Sequence, residues 1–344
     1  MSDFAIGSRV LGPGRDPYLI AEIGVNHDGD PRRAAELVRA ARDAGADAVK
    51  FQLFDAARLL SADARFARYQ EALDLPDPRA MLEALELPVE VMVELAAEAR
   101  GLGVDPIVTV FSVELVAVAE SIGVAAYKTA SPDLVHRPLL EALAATGRPL
   151  IVSTGAATLD EVLRADGWLA RRPVAFLQCV SSYPTPDLDA ELAGIASIAR
   201  ATSRVVGYSD HTGAIETGGL AVAAGASILE KHLTYDRTAS GPDHAASLDP
   251  AEFAAYAAFA RRAAGMLGSG KRVLSIEEDV RAVSRQSLVA ARSLPRGRRI
   301  ERSDLVVKRP GTGLPPWTLE ETIGRVLLRD VEADRVLRPE DLAP

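Results

Sequence analysis

Two short runs carry the side chains best suited to chemistry. In residues 228–250, ILEKHLTYDRTASGPDHAASLDP, an apolar run ends on Glu230 and His232, and Asp236, Arg237, Asp243 and His244 crowd the irregular stretch that follows. In residues 205–213, VVGYSDHTG, a second apolar run ends on Ser209, Asp210 and His211. One histidine at the end of a strand usually just packs and hydrogen-bonds. Two from successive strands, with carboxylates nearby, suit a divalent ion such as Mn²⁺ or Mg²⁺, with carboxylate or water completing the shell. The sequence has neither a second cysteine nor an HExxH run, so structural zinc does not fit.

Two lysines add an anion-binding element. Lys50 and Lys128 stand inside apolar runs, ADAVKFQLF and AAYKTAS. Lysine is almost never buried without a partner. Internal ion pairs, for example Lys50 with Glu22, are one solution. Hydroxyls near the ends of other apolar runs (Thr109, Ser131, Ser153, Thr154, Ser181, Ser182, Ser209) favour a cradle for phosphate or carboxylate instead. Gly155, between Thr154 and a helix start, offers backbone N–H groups to the same anion, although Thr158 and Glu161 also read as an ordinary capping box. Glu22, Gln52, Asp133, Tyr183 and Asp243 are further polar residues at or just beyond these ends. His136 reads as a helix cap, and Cys179 as a small buried hydrophobe rather than a nucleophile.

A regular scaffold must position these residues. YLIAEIGVN (18–26) reads as a strand and residues 31–44 as a helix that opens on Pro31 and stops at Gly45; ADAVKFQLF (46–54) is the next strand. The alternation continues with helices at 88–102, 112–123, 135–146, 159–169, 188–201, 215–224 and 250–267, and strands between them. Eight strand–helix units in about 250 residues match a (β/α)₈ barrel, which gathers its active site at the C-terminal strand ends. An open doubly wound sheet would concentrate polar residues at one switch point; here they recur at nearly every strand end. Residues 1–17 are expected to form a hairpin across the barrel floor, and 56–87 a long insertion acting as a lid or binding loop. The rhythm stops near Gly268. The expected organisation is a barrel over 1–268, a charged linker over 269–285, and a small mainly-β domain over 286–344.

Bulk properties narrow the partners. The chain has 344 residues, a formal net charge of -9 and 48% hydrophobic residues, with a pI of about 5.2. An acidic chain disfavours nucleic acid or an anionic membrane as partner. One cysteine allows no internal disulfide, MSDFAIGSRV lacks a signal-peptide pattern, and no apolar run reaches membrane-spanning length. The expected location is cytoplasmic.

With these residues assembled, the chain resembles the sialic acid synthase family, the phosphoenolpyruvate-dependent N-acylneuraminate synthases. The shared runs include IAEIGVNHDGD (20–30), GADAVKFQ (45–52), YKTASPDL (127–134), STGAAT (153–158), CVSSYPTP (179–186), GYSDHT (207–212), EKHLT (230–234) and GPDHAASLDP (241–250). RQSLVAAR (285–292) and VKRPGTGLPP (307–316) look like the antifreeze-like, or SAF, domain that follows the barrel in that family. The resemblance implies condensation of phosphoenolpyruvate with an open-chain N-acylmannosamine-type aldehyde and water, with phosphate leaving by C–O cleavage. It implies His211 and His232 as metal ligands, and Lys50, Thr109, Lys128, Ser131, Ser153 and Ser209 as the phosphoenolpyruvate grip. Gln52, Asp133, Tyr183 and Asp243 would hold the sugar, and Glu22 would act near the metal-bound water or the sugar. Arg309 would reach the N-acyl group from the small domain of the partner subunit in a domain-swapped homodimer.

Two residues depart from the family pattern. Ser181 stands where asparagine is usual, and Asp133 where some members have glutamate. Both bear on the acceptor rather than the chemistry, so legionaminate- and pseudaminate-type acceptors, which are diacetamido-dideoxy sugars, stay open. The rival enzyme reading is a Schiff-base aldolase using Lys128 or Lys50. A non-catalytic sugar-binding protein would have lost the strand-end polar residues that are present here.

Overall fold

The computed structural model describes residues 4–66 and 77–344. The chain divides into two units, residues 1–269 and 270–344.

In the first unit, a hairpin of β1 (Phe4–Ile6) and β2 (Arg9–Leu11) precedes eight parallel strands: β3 (Tyr18–Glu22), β4 (Ala48–Leu53), β5 (Asp105–Val110), β6 (Ala126–Thr129), β7 (Leu150–Ser153), β8 (Val174–Cys179), β9 (Val205–Asp210) and β10 (Ile228–His232). They close in chain order, with β10 pairing β3. Helices follow the strands, beginning with Pro31–Asp43, which is capped by Asp30 and opened by Pro31, and ending with Pro250–Leu267, which carries a capping box from Asp249 and Glu252. Strand side chains alternate in direction, and this separates two cores. Outward residues such as Leu19, Val49, Val108, Val152 and Leu229 pack against the helices. Inward residues at the strand starts (Tyr18, Ile20, Ala48, Ile107, Ala126, Ile151, Ala175 and Ile228) meet Phe4, Ile6 and Leu11 of the hairpin. The hairpin therefore plugs the barrel floor, as expected.

Element bounds depart little from the sequence reading. The helix expected over 188–201 starts only at Ala193, after a 3₁₀ turn at Asp187–Asp189. In the insertion after β4, helices Ala56–Leu59 and Pro78–Glu83 are described, and residues 67–76 lie outside the described residues. Among the described residues, no helix is long and apolar enough to cross a membrane.

The second unit is β-rich. Strands β11 (Ser287–Ala290) and β12 (Leu305–Lys308) pair antiparallel, and single bridges such as Leu294 to Val331 and Leu327 to Leu342 tie in the remaining chain. Leu288, Leu294, Ile300, Leu327 and Leu337 fill its core. The buried Asp304 carboxylate accepts from Arg292 Nη2 at 2.6 Å, Arg298 Nε at 3.1 Å and the Glu301 N–H at 3.0 Å. This network supplements a core too small to stabilise many isolated domains. The stretch expected as plain linker contains a helix, Glu278–Ser284.

Candidate active site

Alternation along each strand places the polar residues. At the C-terminal ends the inward residue changes from apolar to polar: Glu22, Lys50, Thr109, Lys128, Ser153, Ser209 and Glu230 are all buried above the apolar floor. Strand register sets their neighbours. His232 lies beside Glu22, Glu22 beside Lys50, Gln52 beside Thr109, Thr109 beside Lys128, and Ser209 beside Glu230. Lys50, Gln52, Thr109, Lys128, Ser153, Ser209 and Glu230 form the base of a cavity of about 390 Å³.

Glu230 is the hub of this base. Its carboxylate lies 3.6 Å from Lys128 Nζ and 3.9 Å from Lys50 Nζ, and it accepts a 3.0 Å hydrogen bond from Ser209. Lys50 also pairs with Glu22 and donates to Thr109 Oγ1 at 2.8 Å. Lys128 donates to Ser153 Oγ at 2.5 Å and to the Thr129 carbonyl at 2.9 Å. The lysines are thus paired internally, and both still line the cavity. Burial opposes the charge on Lys50, but Glu22 and Glu230 outweigh it and hold the ammonium above its ordinary pKa. At Lys128 burial wins over the attraction of Glu230, and the pKa is lowered. Burial also opposes charge on Glu230, yet Lys128 and Lys50 hold its carboxyl below the usual range. Glu22, which is fully enclosed, is pushed up by burial against the pull of Lys50.

Beside the lysines is a hydroxyl chamber. The Gly155 N–H donates to Ser131 Oγ at 3.0 Å. A Cβ at position 155 would overlap Ser181 Oγ and lie 2.7 Å from Ser131 Oγ, so only glycine leaves both hydroxyls in place. Gly24, with φ +25°, plays the same part near Glu22 and Gln52, since a Cβ there would strike both side chains.

The rim carries the two imidazoles. Their ring centres are 5.4 Å apart, and the Tyr183 ring lies 4.0 Å from His211 and 5.9 Å from His232. His211 Nδ1 meets the Val180 carbonyl at 2.8 Å, which assigns it the proton and leaves Nε2 with a lone pair. His232 Nδ1 is buried without a hydrogen-bond partner, 3.5 Å from Asp243 Oδ2. Burial, reinforced by His211 and Lys50, holds His232 well below the ordinary histidine pKa and so neutral. Burial also opposes charge on His211, but nearby Cys179 and the Val180 carbonyl turn the balance upward. Among the described residues, no group of three or more His, Cys, Asp or Glu side chains is arranged to hold a metal. The donor set is therefore two neutral-capable imidazoles. An ion there would take its remaining ligands from substrate and water.

Most of the candidate residues line this one cavity; Glu22, Asp133 and Arg309 do not. Glu22 lies beneath Lys50 and accepts from Gln52 Nε2 at 3.2 Å. Asp133 follows β6 in a 3₁₀ turn, where burial raises its carboxyl to about 6. Arg309 is in the second unit. Sequence reasoning noted Glu230 at its strand end but gave it no role; its place two residues before His232 on one strand was the available signal. Of the four histidines at or after the C-terminal strand ends (His27, His211, His232 and His244), His27 and His244 face elsewhere. His27 Nδ1 accepts from the Gly29 N–H at 3.1 Å, and His244 binds Asp28 at 2.9 Å and Thr234 at 2.7 Å. Cys179 is buried as expected, but it also touches Ser131 at 3.5 Å and His211 at 3.7 Å. His136 caps its helix.

Residues 37–272 match the NeuB family, and residues 285–343 match the SAF domain. The chain belongs to the NeuB family. Its curated relatives include the N,N'-diacetyllegionaminic acid synthases of Legionella pneumophila, 37% identical over 96% of each chain, and of Campylobacter jejuni, 34% identical over 93% of this chain and 98% of that one. Among solved structures, the N-acetylneuraminic acid synthetase of Leptospira borgpetersenii, crystallised with citrate, superposes with a TM-score of 0.74 at 32% identity, covering 81% of this chain and 95% of that chain. Family membership accounts for the barrel with its β-rich C-terminal domain and supports a synthase of the NeuB type.

Proposed function

We propose that this NeuB-family barrel condenses phosphoenolpyruvate with the open-chain aldehyde of an N-acylated amino sugar. A C–C bond forms between the phosphoenolpyruvate methylene and the aldehyde carbon, whose oxygen takes a proton and becomes a hydroxyl. Water adds at the enol carbon, and phosphate leaves with C–O cleavage to give a 2-keto acid. The observation that carries this reading is the pair of buried lysines joined by Glu230 beneath two rim imidazoles. Phosphoenolpyruvate is anionic at both its carboxylate and its phosphate, and Lys50 and Lys128 offer one cation to each. Thr109 extends the Lys50 side, Ser131, Ser153 and Ser181 the Lys128 side, and Ser209 bonds the Glu230 oxygen that faces Lys128.

Glu22, which pairs with Lys50 and accepts from Gln52 Nε2, is assigned a role near the acceptor sugar. Gln52, Asp133, Tyr183 and Asp243 are assigned to the acceptor. Arg309 of a partner subunit is assigned to its acyl group, which requires a domain-swapped homodimer. His211 and His232 are the residues that would hold a divalent cation, Mn²⁺ or Mg²⁺; the unpartnered His232 Nδ1 and the tautomer set at His211 fit that use. When bound, such an ion supplies Lewis-acid polarisation of the aldehyde.

The test is phosphate release from phosphoenolpyruvate by metal-stripped protein, with Mn²⁺ or Mg²⁺ added back and a panel of N-acylated amino sugars including the diacetamido-dideoxy ones. Metal-dependent release with a sugar supports the reading. His232→Ala should abolish it while circular dichroism stays unchanged; full activity in that variant would remove the ligand assignment. One observation favours a second reading: the lowered pKa of Lys128 is what a Schiff-base lysine needs. Borohydride trapping with pyruvate decides between them, because only the aldolase would be labelled.

A further inference from the structure

Behind the two rim imidazoles lies a charged pair that the reaction proposed above does not use. Lys231 and Asp210 are fully enclosed, with Lys231 Nζ 3.3 Å from Asp210 Oδ1. Neither lines the cavity. Alternation along the strands turns both side chains outward, and the Tyr256 ring of helix Pro250–Leu267 lies 5.8 Å from Lys231 Nζ. An enclosed ion pair is a poor source of stability, because desolvation offsets much of the attraction. Its place in the sheet points to another use. Asp210 ends β9, Lys231 is its partner in register on β10, and the next residue on each segment is an imidazole, His211 or His232. The sheet itself fixes His232, which pairs in register with Glu22 and accepts at its carbonyl from the Leu248 N–H at 2.9 Å. His211 lies beyond the end of β9, so contacts of the turn must fix it. The Asp210 carboxylate accepts from the Thr212 N–H and from the Thr212 hydroxyl, each at 2.8 Å. Lys231 Nζ donates to the Thr212 carbonyl, and the His211 carbonyl accepts from the Thr185 N–H at 2.9 Å. Lys231 thus grips the turn that carries His211 while being the backbone neighbour of His232.

We infer that Lys231 and Asp210 are positioning residues, which lock the turn of His211 to the strand of His232 and so hold the two imidazoles at the separation that a shared divalent cation requires. The inference rests on the reading of His211 and His232 as the cation's ligands. Without the ammonium, the Thr212 carbonyl loses its donor from β10 and the turn loses its tie to that strand. His211 can then move relative to His232, and binding through two imidazoles weakens toward binding through one. The phosphoenolpyruvate grip does not depend on this tie. Lys50 is held by Thr109, and Lys128 by Ser153 and the Thr129 carbonyl, on strands remote in the sheet from the Lys231 contact.

The experiment titrates Mn²⁺ into the metal-free full chain and follows free Mn²⁺ by electron paramagnetic resonance, with phosphoenolpyruvate binding measured by calorimetry in the absence of metal. Lys231→Met is the informative variant, because two explanations give opposite signs. Loss of a nearby cation would by electrostatics alone tighten Mn²⁺ binding. Loss of a positioning contact should raise the Kd for Mn²⁺ about tenfold or more, with the Kd for phosphoenolpyruvate unchanged. The double variant Lys231→Met with Asp210→Asn removes both charges together and leaves no enclosed charge unpaired. It carries the test where the single variant does not fold, and the same loss of Mn²⁺ affinity is expected of it at near wild-type stability. A folded variant that binds Mn²⁺ as tightly as wild type, or more tightly, overturns the inference and leaves the pair a role in stability alone. A wild-type chain that binds no Mn²⁺, or a His232→Ala variant that binds it as wild type does, overturns instead the ligand reading on which the inference rests.

Discussion

Replacing Glu230 with glutamine tests the charge arrangement at the base of the cavity most directly. The substitution keeps the shape and the contact with Ser209 but removes the anion 3.6 Å from Lys128 and 3.9 Å from Lys50. At an effective dielectric near 20, each attraction amounts to about 4–5 kcal/mol before desolvation is counted. Lys50 keeps Glu22 as a counter-ion. Lys128 keeps only the Ser153 hydroxyl and the Thr129 carbonyl, so the loss falls mainly on Lys128. Removing one partner of a buried pair typically destabilises by about 3–5 kcal/mol, and a loss of that size is expected at pH 7. The folded-state pKa of Lys128 is already lowered, so the unfolded chain binds its proton more tightly than the folded one. Glu230→Gln widens that gap. The deficit should therefore shrink as pH rises toward the unfolded lysine value, where the side chain is neutral in both states. Denaturant unfolding of the barrel at pH 7 and pH 9 measures both effects. Added phosphoenolpyruvate should also raise the Tm of the variant more than that of the wild type, because it replaces the missing anion. A variant within about 1 kcal/mol of wild type at pH 7, with no larger gain from phosphoenolpyruvate, would refute the hub role of Glu230.

Gly155→Ala drives a methyl group into the Ser131 and Ser181 hydroxyls. It should raise the KM for phosphoenolpyruvate about tenfold or more, given how steeply misplacement is penalised; an unchanged KM would place the anion elsewhere. Arg309→Ala should raise the KM for the sugar and spare that for phosphoenolpyruvate, and the opposite pattern would remove the assignment of the small domain. His27 is buried and held down to about 4, chiefly by desolvation. Below its unfolded value near 6.5 the unfolded chain takes up a proton that the folded chain refuses, so stability falls as pH drops from about 6.5 to 4, by about 3 kcal/mol in all. His27→Gln should flatten this acid limb in unfolding titrations, and an unaltered limb would assign it to other groups.

Periodicity and strand ends are local properties, and this is why so much of the barrel was legible. An apolar run that stops on a polar residue marks a strand and its C-terminal end without any knowledge of the neighbours. Lys50, Lys128, Ser153, Ser209, His211 and His232 were found that way, and they line one cavity. Tertiary structure decided which of these polar groups meet. Lys128 and Glu230 are a hundred residues apart in sequence and come within 3.6 Å only because the barrel closes β10 onto β3 and β9. The direction of a side chain beyond its strand was equally out of reach. His27 and His244 lie in the loops that follow β3 and β10, but those loops fold back and spend both rings on local hydrogen bonds. On β10 itself, Glu230 and His232 face the cavity, while Lys231 between them faces out and pairs with Asp210 at 3.3 Å. That much follows from a period of two. Which partner each face found depended on closure, because a residue's neighbours across a barrel are set by register and not by distance along the chain.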